Sequence, residues 1–285
     1  MKFREQCMKT VFFISAMSSV VFVFLICLFL FINGIPPMAE LGFFNFLTGT
    51  QWRPSNIPPA FGLWPMIVTS LITTFGAIVV GVPIGLCTAV FLARVCPKPL
   101  YKILKPAIDL LAGIPSVVYG FFGLVMIVPM IRVVFGGRGF SVLAAIILLS
   151  IMILPTIVAI SEAALRAVPE SYYEGALALG ASHIRCVFFV VLPAAKSGIL
   201  ASVVLGMGRA LGETMAVVMV AGNQPRVPGS LLEGARSLTA NIVLEMAYAT
   251  DLHRDALVAT SVVLFVIILI INLTFSFTIR RRGRS

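Results

Sequence analysis

Charge is scarce in this sequence. Asp, Glu, Lys and Arg make up 11% of its 285 residues, where soluble domains carry about a quarter, so a soluble enzyme and a nucleic-acid reader are excluded. Acids are fewest, with 11 Asp and Glu against 21 Lys and Arg, a net charge of +10. Histidine occurs twice, at His183 and His253, and neither has companions at metal-ligand spacing. The five cysteines, Cys7, Cys27, Cys87, Cys96 and Cys186, include no Cys-x-x-Cys pair, which argues against a disulfide framework or a metal site. A glycine-rich phosphate loop is also missing. Its nearest echo, Lys196-Ser197, follows Pro193-Ala194-Ala195, which cannot present the row of backbone NH groups that cradles phosphate. No His-Asp, Cys-His or HExxH set lies where it could serve a membrane-embedded enzyme. No cofactor is expected.

What is abundant is apolar surface, 60% of residues, and it lies in long runs. About 20 apolar residues in a helix cross a bilayer, and six stretches qualify: Val11 to Ile32, Met66 to Ala93, Ala107 to Ile131, Val142 to Ile160, Gly198 to Ala221 and Leu257 to Ile279. The expectation is therefore an all-α polytopic membrane protein with six transmembrane helices. Residues 1–65 would form an N-terminal anchor and outer loop, and 66–285 a core domain with five spans and a cytoplasmic loop at about 161–197. The first run follows Lys2, Arg4 and Lys9 but has no small-x-small cleavage site, so it reads as a retained anchor.

The basic residues set the orientation. With the N-terminus inside, fourteen of the 21 fall on the cytoplasmic side, six fall outside (Arg53, Arg132, Arg138, Arg226, Arg236, Arg254), and Arg209 lies within a span. Both termini are thus expected in the cytoplasm, with Arg94 to Lys105 and Arg280 to Arg284 anchored against anionic lipid. The outer-loop arginines are read singly as solvated cations that could also draw an anion or an acidic partner.

Only Asp109, Arg209 and Glu213 are charged within the six runs. A cation at mid-membrane is costly, about 2.5–3.5 kcal/mol on insertion scales, so something must offset Arg209. Glu213 stands four residues on, within side-chain reach if the helix continues. With Gly206, Gly208, Gly212 and Thr214 these residues form a polar stripe on a helix that can approach its neighbours closely. Two readings stay open. Arg209, Glu213 and Thr214 line a substrate path, the guanidinium fork offering donors to an oxyanion, or the two charges form a closed pair between helices. Asp109 is expected to pair with Lys102 or Lys105.

The loop from Ser161 holds SEAALRAVPESYYEGALALGASHIRCVFFVVLP. Pro169 starts a fresh helix at Glu170, Tyr173, Ala176 and Leu177 give it an apolar side, and Gly180 falls where it would stop. The alternative is an amphipathic helix lying on lipid. Glu174-Gly175-Ala176, then Gly180, then Val190-Val191-Leu192-Pro193 after nine intervening residues resemble the EAA loop of ABC-importer permeases. Gly175 stands there for Ala and Val190 for Ile. Further passages, among them Phe46-Leu47-Thr48-Gly49-Thr50-Gln51-Trp52-Arg53-Pro54, Gly113-Ile114-Pro115-Ser116-Val117-Val118-Tyr119-Gly120, Gly208-Arg209-Ala210-Leu211-Gly212-Glu213-Thr214 and Leu238-Thr239-Ala240-Asn241, resemble the PstC-type permeases of phosphate-specific importers.

That resemblance implies a type I importer architecture, an inner-membrane location and a partner set. The partners would be a second permease (PstA-like), an ATPase dimer (PstB-like) that hydrolyses the ATP, and a soluble phosphate-binding protein (PstS-like), besides membrane lipid and no nucleic acid. It also implies ATPase coupling through Glu170, Tyr173, Glu174, Ala176, Leu177, Gly180, Leu192 and Pro193. An importer of sulfate or molybdate, and a passive anion channel, are the alternatives.

Overall fold

The computed structural model describes residues 2–282, so Arg284, and with it the closing basic cluster as a group of side chains, lies outside the described residues. Helix α1 (Lys2–Glu40) runs past its expected end through Pro36 and Pro37. A short α2 (Phe43–Thr48) and a two-stranded hairpin follow, β1 (Trp52–Arg53) pairing antiparallel with β2 (Ala60–Phe61), Trp52 opposite Phe61. Helix α3 (Trp64–Val90) is extended by a π-helical turn over Phe91–Val95.

Next comes α4 (Lys98–Gly113), in which no residue is buried. After a break at Ile114 and Pro115 the chain continues through α5 (Ser116–Phe122), a π turn (Gly123–Ile127) and α6 (Val128–Phe135). The expected third span is therefore cut: the part able to cross by itself is Ser116–Phe135, and Asp109 belongs to α4. Pro115 is the physical reason, since a proline biases its predecessor to extended backbone, and Ile114 has ψ 126°.

Helix α7 (Val142–Arg166) is the centre of the bundle. Ser141 caps its start by accepting from the Ala144 amide at 3.2 Å, and Leu148, Leu149, Met152, Ile153 and Ile157 are fully enclosed. A row of small residues, Gly76, Gly81 and Gly85 of α3, lies directly against Ile146, Ile153 and Ile157, which lets the two helices pack at close range.

Beyond α7 stand α8 (Glu170–Ala178), α9 (His183–Cys186), a π turn (Val187–Val191) and α10 (Leu192–Ala194). Helix α11 (Lys196–Gly212) leaves α10 at a bend of 68°, so this crossing is a broken one. It stops at Gly212 rather than running on to Ala221. Glu213 is extended (φ −68°, ψ 134°), and α12 (Met215–Val220) starts afresh. The chain ends with α13 (Leu238–Glu245), capped by Ser237 accepting from the Ala240 amide, and α14 (Asp251–Arg282). Among the described residues five helices are long and apolar enough to cross a membrane, and the bent pair makes six.

Helix α1 rests on α14, where Gly34 meets Val258 and Val262, and its side chains from Arg4 to Phe29 are nearly all exposed. At the end of the bundle opposite α8, Phe46, Trp52, Phe61 and Leu63 join Leu238, Leu257 and Val263 in one apolar cluster.

Candidate coupling face and membrane path

Helix α8 is built to be presented. Pro169 enters it extended (ψ 134°), Glu170 complements the positive end of the helix dipole, and Gly180 ends the turn with φ +84°, a left-handed angle that glycine takes without steric cost. No residue of α8 is buried. Leu179 is 90% exposed and Ile184 68%, an apolar knob of the kind that marks an interaction site. Of the eight residues expected here, Tyr173, Ala176 and Leu192 are half-buried on the inner side, whereas Glu170, Glu174, Leu177, Gly180 and Pro193 are exposed. The Tyr173 hydroxyl meets His183 Nδ1 at 2.6 Å, a tie between α8 and α9 that the sequence reading did not assign.

Behind α8 lies a polar cluster. Arg94 donates through Nη1 to Glu170 Oε2 at 2.8 Å and through Nη2 to the Leu165 carbonyl at 2.9 Å. Arg166 donates through Nη2 to the Leu92 carbonyl at 2.9 Å. Glu162, with its side chain 3% exposed, accepts from Tyr101 Oη at 2.8 Å, Arg166 Nε at 2.8 Å and Lys105 Nζ at 3.2 Å. Lys105 also pairs with Asp109 at 3.0 Å, the pairing expected for that acid. The bond to Glu162, reinforced by burial, pushes the Tyr101 phenol above its usual range. Burial works against the Lys105 ammonium, but its bonds to Asp109 and Glu162 outweigh that and raise its pKa. Glu162 was legible only as the first acid of a loop. Its i,i+4 spacing to Arg166 was the available signal.

Within the membrane, Arg209 does not pair with Glu213. An i,i+4 pair needs an unbroken helix, and α11 ends between them. Instead Arg209 Nη1 donates to Thr156 Oγ1 at 3.2 Å. No carboxylate stands within ion-pair distance of it among the described residues. Thr156 is ten residues from the end of α7 at Arg166, roughly 15 Å at the helical rise, so Arg209 acts near mid-membrane. Glu213 Oε1 accepts from the Ala216 amide at 3.2 Å and so caps α12, while its carbonyl accepts from Thr239 Oγ1 at 2.9 Å. The Thr214 hydroxyl turns back to the Gly212 carbonyl at 3.2 Å. The three expected path residues thus stand at one break, with their side chains engaged separately.

At the far end, Glu245 accepts from Trp52 Nε1 at 2.7 Å, from His253 Nε2 at 2.8 Å and from Arg236. Arg236 also donates to the Asn223 carbonyl and to Asn241 Oδ1, each at 3.0 Å. Arg236 is therefore not the solvated cation expected of it. Its partner lies nine residues on, and folding of 222–249 brings the two together.

A helical bundle with broken crossings, a half-buried arginine beside one break with no carboxylate partner among the described residues, and a protruding helix at one end define a membrane-embedded transport permease. The family described as "Binding-protein-dependent transport system inner membrane component" matches residues 81–282, and the chain belongs to it. The chain is 39% identical to the probable ABC transporter permease protein YqgH of Bacillus subtilis, over 88% of this chain and 80% of that protein. It is 36% identical to the phosphate transport system permease protein PstC of Mesorhizobium japonicum, over 80% and 76%. In fold it resembles the bacterial alginate ABC transporter in complex with its pentasaccharide-bound periplasmic protein, with a TM-score of 0.66, 18% identity, and 95% and 94% of the two chains covered.

Proposed function

We propose that this chain is a permease subunit of an ATP-driven importer that moves inorganic phosphate inward. One observation carries the anion: among the described residues the Arg209 guanidinium near mid-membrane has one hydroxyl partner and no carboxylate, so most of its five donors are left for an oxyanion. Intramembrane ionisable groups mark substrate pathways. Arg209 is the substrate contact, Glu213 sets the start of α12 beside it, and Thr214 lies at the same break. Phosphate as the cargo is supported by the PstC relatives.

The partners in this reading are a PstA-like permease, two PstB-like ATPases seated on the α8 face and a PstS-like binding protein on the opposite face. Glu170, Tyr173, Glu174, Ala176, Leu177, Gly180, Leu192 and Pro193 carry the coupling. Residues 1–65 act as anchor and outer loop and 66–285 as the core unit, with both termini cytoplasmic. The excess of basic residues on the α8 side supports that orientation.

The test is co-purification with an ATPase and reconstitution in vesicles, followed by ATP-dependent uptake of labelled phosphate with and without binding protein. Competition by sulfate or molybdate at equal potency would move the assignment to another oxyanion. Flux without ATP would make the chain a channel.

A further inference from the structure

We propose that Glu162 is a positioning residue that makes α4 a strut between the α8 face and the Ile114–Pro115 break, whose far side packs against the helices that flank the anion path. The inference rests on the importer reading above and names the device by which the two ends of that machine communicate.

The lower end of the strut is polar. Nothing in α4 is buried, so apolar packing does not explain how it is held. Two of its side chains, Tyr101 and Lys105, reach the enclosed Glu162 carboxylate of α7. Glu162 is joined to Arg166 one turn on, and Arg166 grips the Leu92 carbonyl at the end of α3. Arg94, two residues from Leu92, holds both the Leu165 carbonyl and Glu170, the first residue of α8. A displacement of α8 therefore meets α4 through charged, short and directional contacts.

The upper end is different. The Tyr119 hydroxyl donates to the Leu111 carbonyl at 2.8 Å, across the Ile114–Pro115 break. Leu111, Ile114, Val118, Tyr119, Phe122 and Ile151 line an apolar groove of about 310 Å³ that is open on one side. Tyr119 also packs in one buried cluster with Ala210, the neighbour of Arg209, and with Ala216 and Val217 of α12. A 16-residue helix is about 24 Å long. It is tied below to the cluster behind α8 and above to Tyr119, with an open groove beside its upper end. A packed interior transmits strain, and a discrete shift needs an element with two places to be; the groove leaves room for the second place.

The test uses the complete complex in vesicles and follows hydrogen exchange in α8 and α4 with and without ATP, alongside phosphate uptake per ATP hydrolysed. In the wild-type complex ATP alters exchange in both helices. In Glu162→Gln the α8 response persists, the α4 response is lost, and uptake per ATP falls about tenfold, the scale of one charge-assisted hydrogen bond. Tyr101→Phe and Lys105→Met, which remove the α4 donors, give the same split while the Glu162 carboxylate keeps its bond to Arg166. Glu162→Asp restores part of the coupling.

An α4 that does not respond in the wild type, or that responds in Glu162→Gln and Lys105→Met as it does in the wild type, overturns the strut and leaves the importer reading standing. Equal loss of uptake and hydrolysis in all variants assigns Glu162 a purely structural role. An α8 that ignores ATP in the wild-type complex removes the importer reading and the strut together.

Discussion

Arg94 and Arg166 cap each other's helices: Arg94, on the π turn that ends α3, donates to the Leu165 carbonyl of α7, and Arg166, at the end of α7, donates to the Leu92 carbonyl of that turn, each at 2.9 Å. The last carbonyls of a helix lack intrahelical donors, and each arginine supplies one to the other helix. Two crossings are thereby fused at the root of α8, and π turns of this kind recur at functional sites.

Arg94→Met removes the bond to Leu165 and releases Glu170. A charged hydrogen bond contributes about 2 kcal/mol, so exchange across Glu170–Ala178 is expected to rise roughly 30-fold. Peptide-level hydrogen exchange on the purified complex checks this. Unchanged exchange would mean that α8 is held by other contacts.

Gly180 has φ +84°, and a Cβ placed there meets nothing within 4 Å. Gly180→Ala therefore acts through the backbone alone, at about 1–2 kcal/mol. ATP hydrolysis stimulated by loaded binding protein is expected to drop several-fold while binding-protein docking stays intact, as titration of the two activities on one preparation would reveal.

Arg209→Ala is expected to lower phosphate uptake at least tenfold with the complex still assembled. Arg209→Lys keeps the charge but loses the planar fork and recovers only part of the uptake. Gel filtration of the complex decides between readings, because failure to assemble would make Arg209 a structural tie to Thr156.

Glu245 is buried among Trp52, Arg236 and His253. Glu245→Ala leaves the Arg236 guanidinium enclosed without its counter-charge, at a cost of about 3–5 kcal/mol. Trp52→Phe loses one hydrogen bond, about 1 kcal/mol. Thermal unfolding of the two variants should rank them in that order.

The spans were legible because lipid demands long apolar runs, and α8 because Pro169 and Gly180 punctuate it. The break after Gly212 was not. Met215 to Val220 keeps the same apolar character as the helix before it, no proline interrupts, and the signal is one carboxylate turning to cap Ala216. The cluster at Glu162 was hidden for another reason. Its partners Tyr101 and Lys105 lie some sixty positions earlier, and only the packing of α4 along α7 brings them together. Arg236 illustrates the same point at the other end, where the count of charges by side could place it outside but could not see Glu245 folding back onto it.

The clamp at Glu245 also bears on how a protein would arrive at that end of the molecule. Trp52 comes from the hairpin, Arg236 from the long loop and His253 from the last helix, so one carboxylate joins three separate segments into a single platform. Loops that are already ordered lose little conformational entropy when something lands on them. A docking protein would meet a surface of settled shape, and its encounter energy would go into contacts and into moving the bundle.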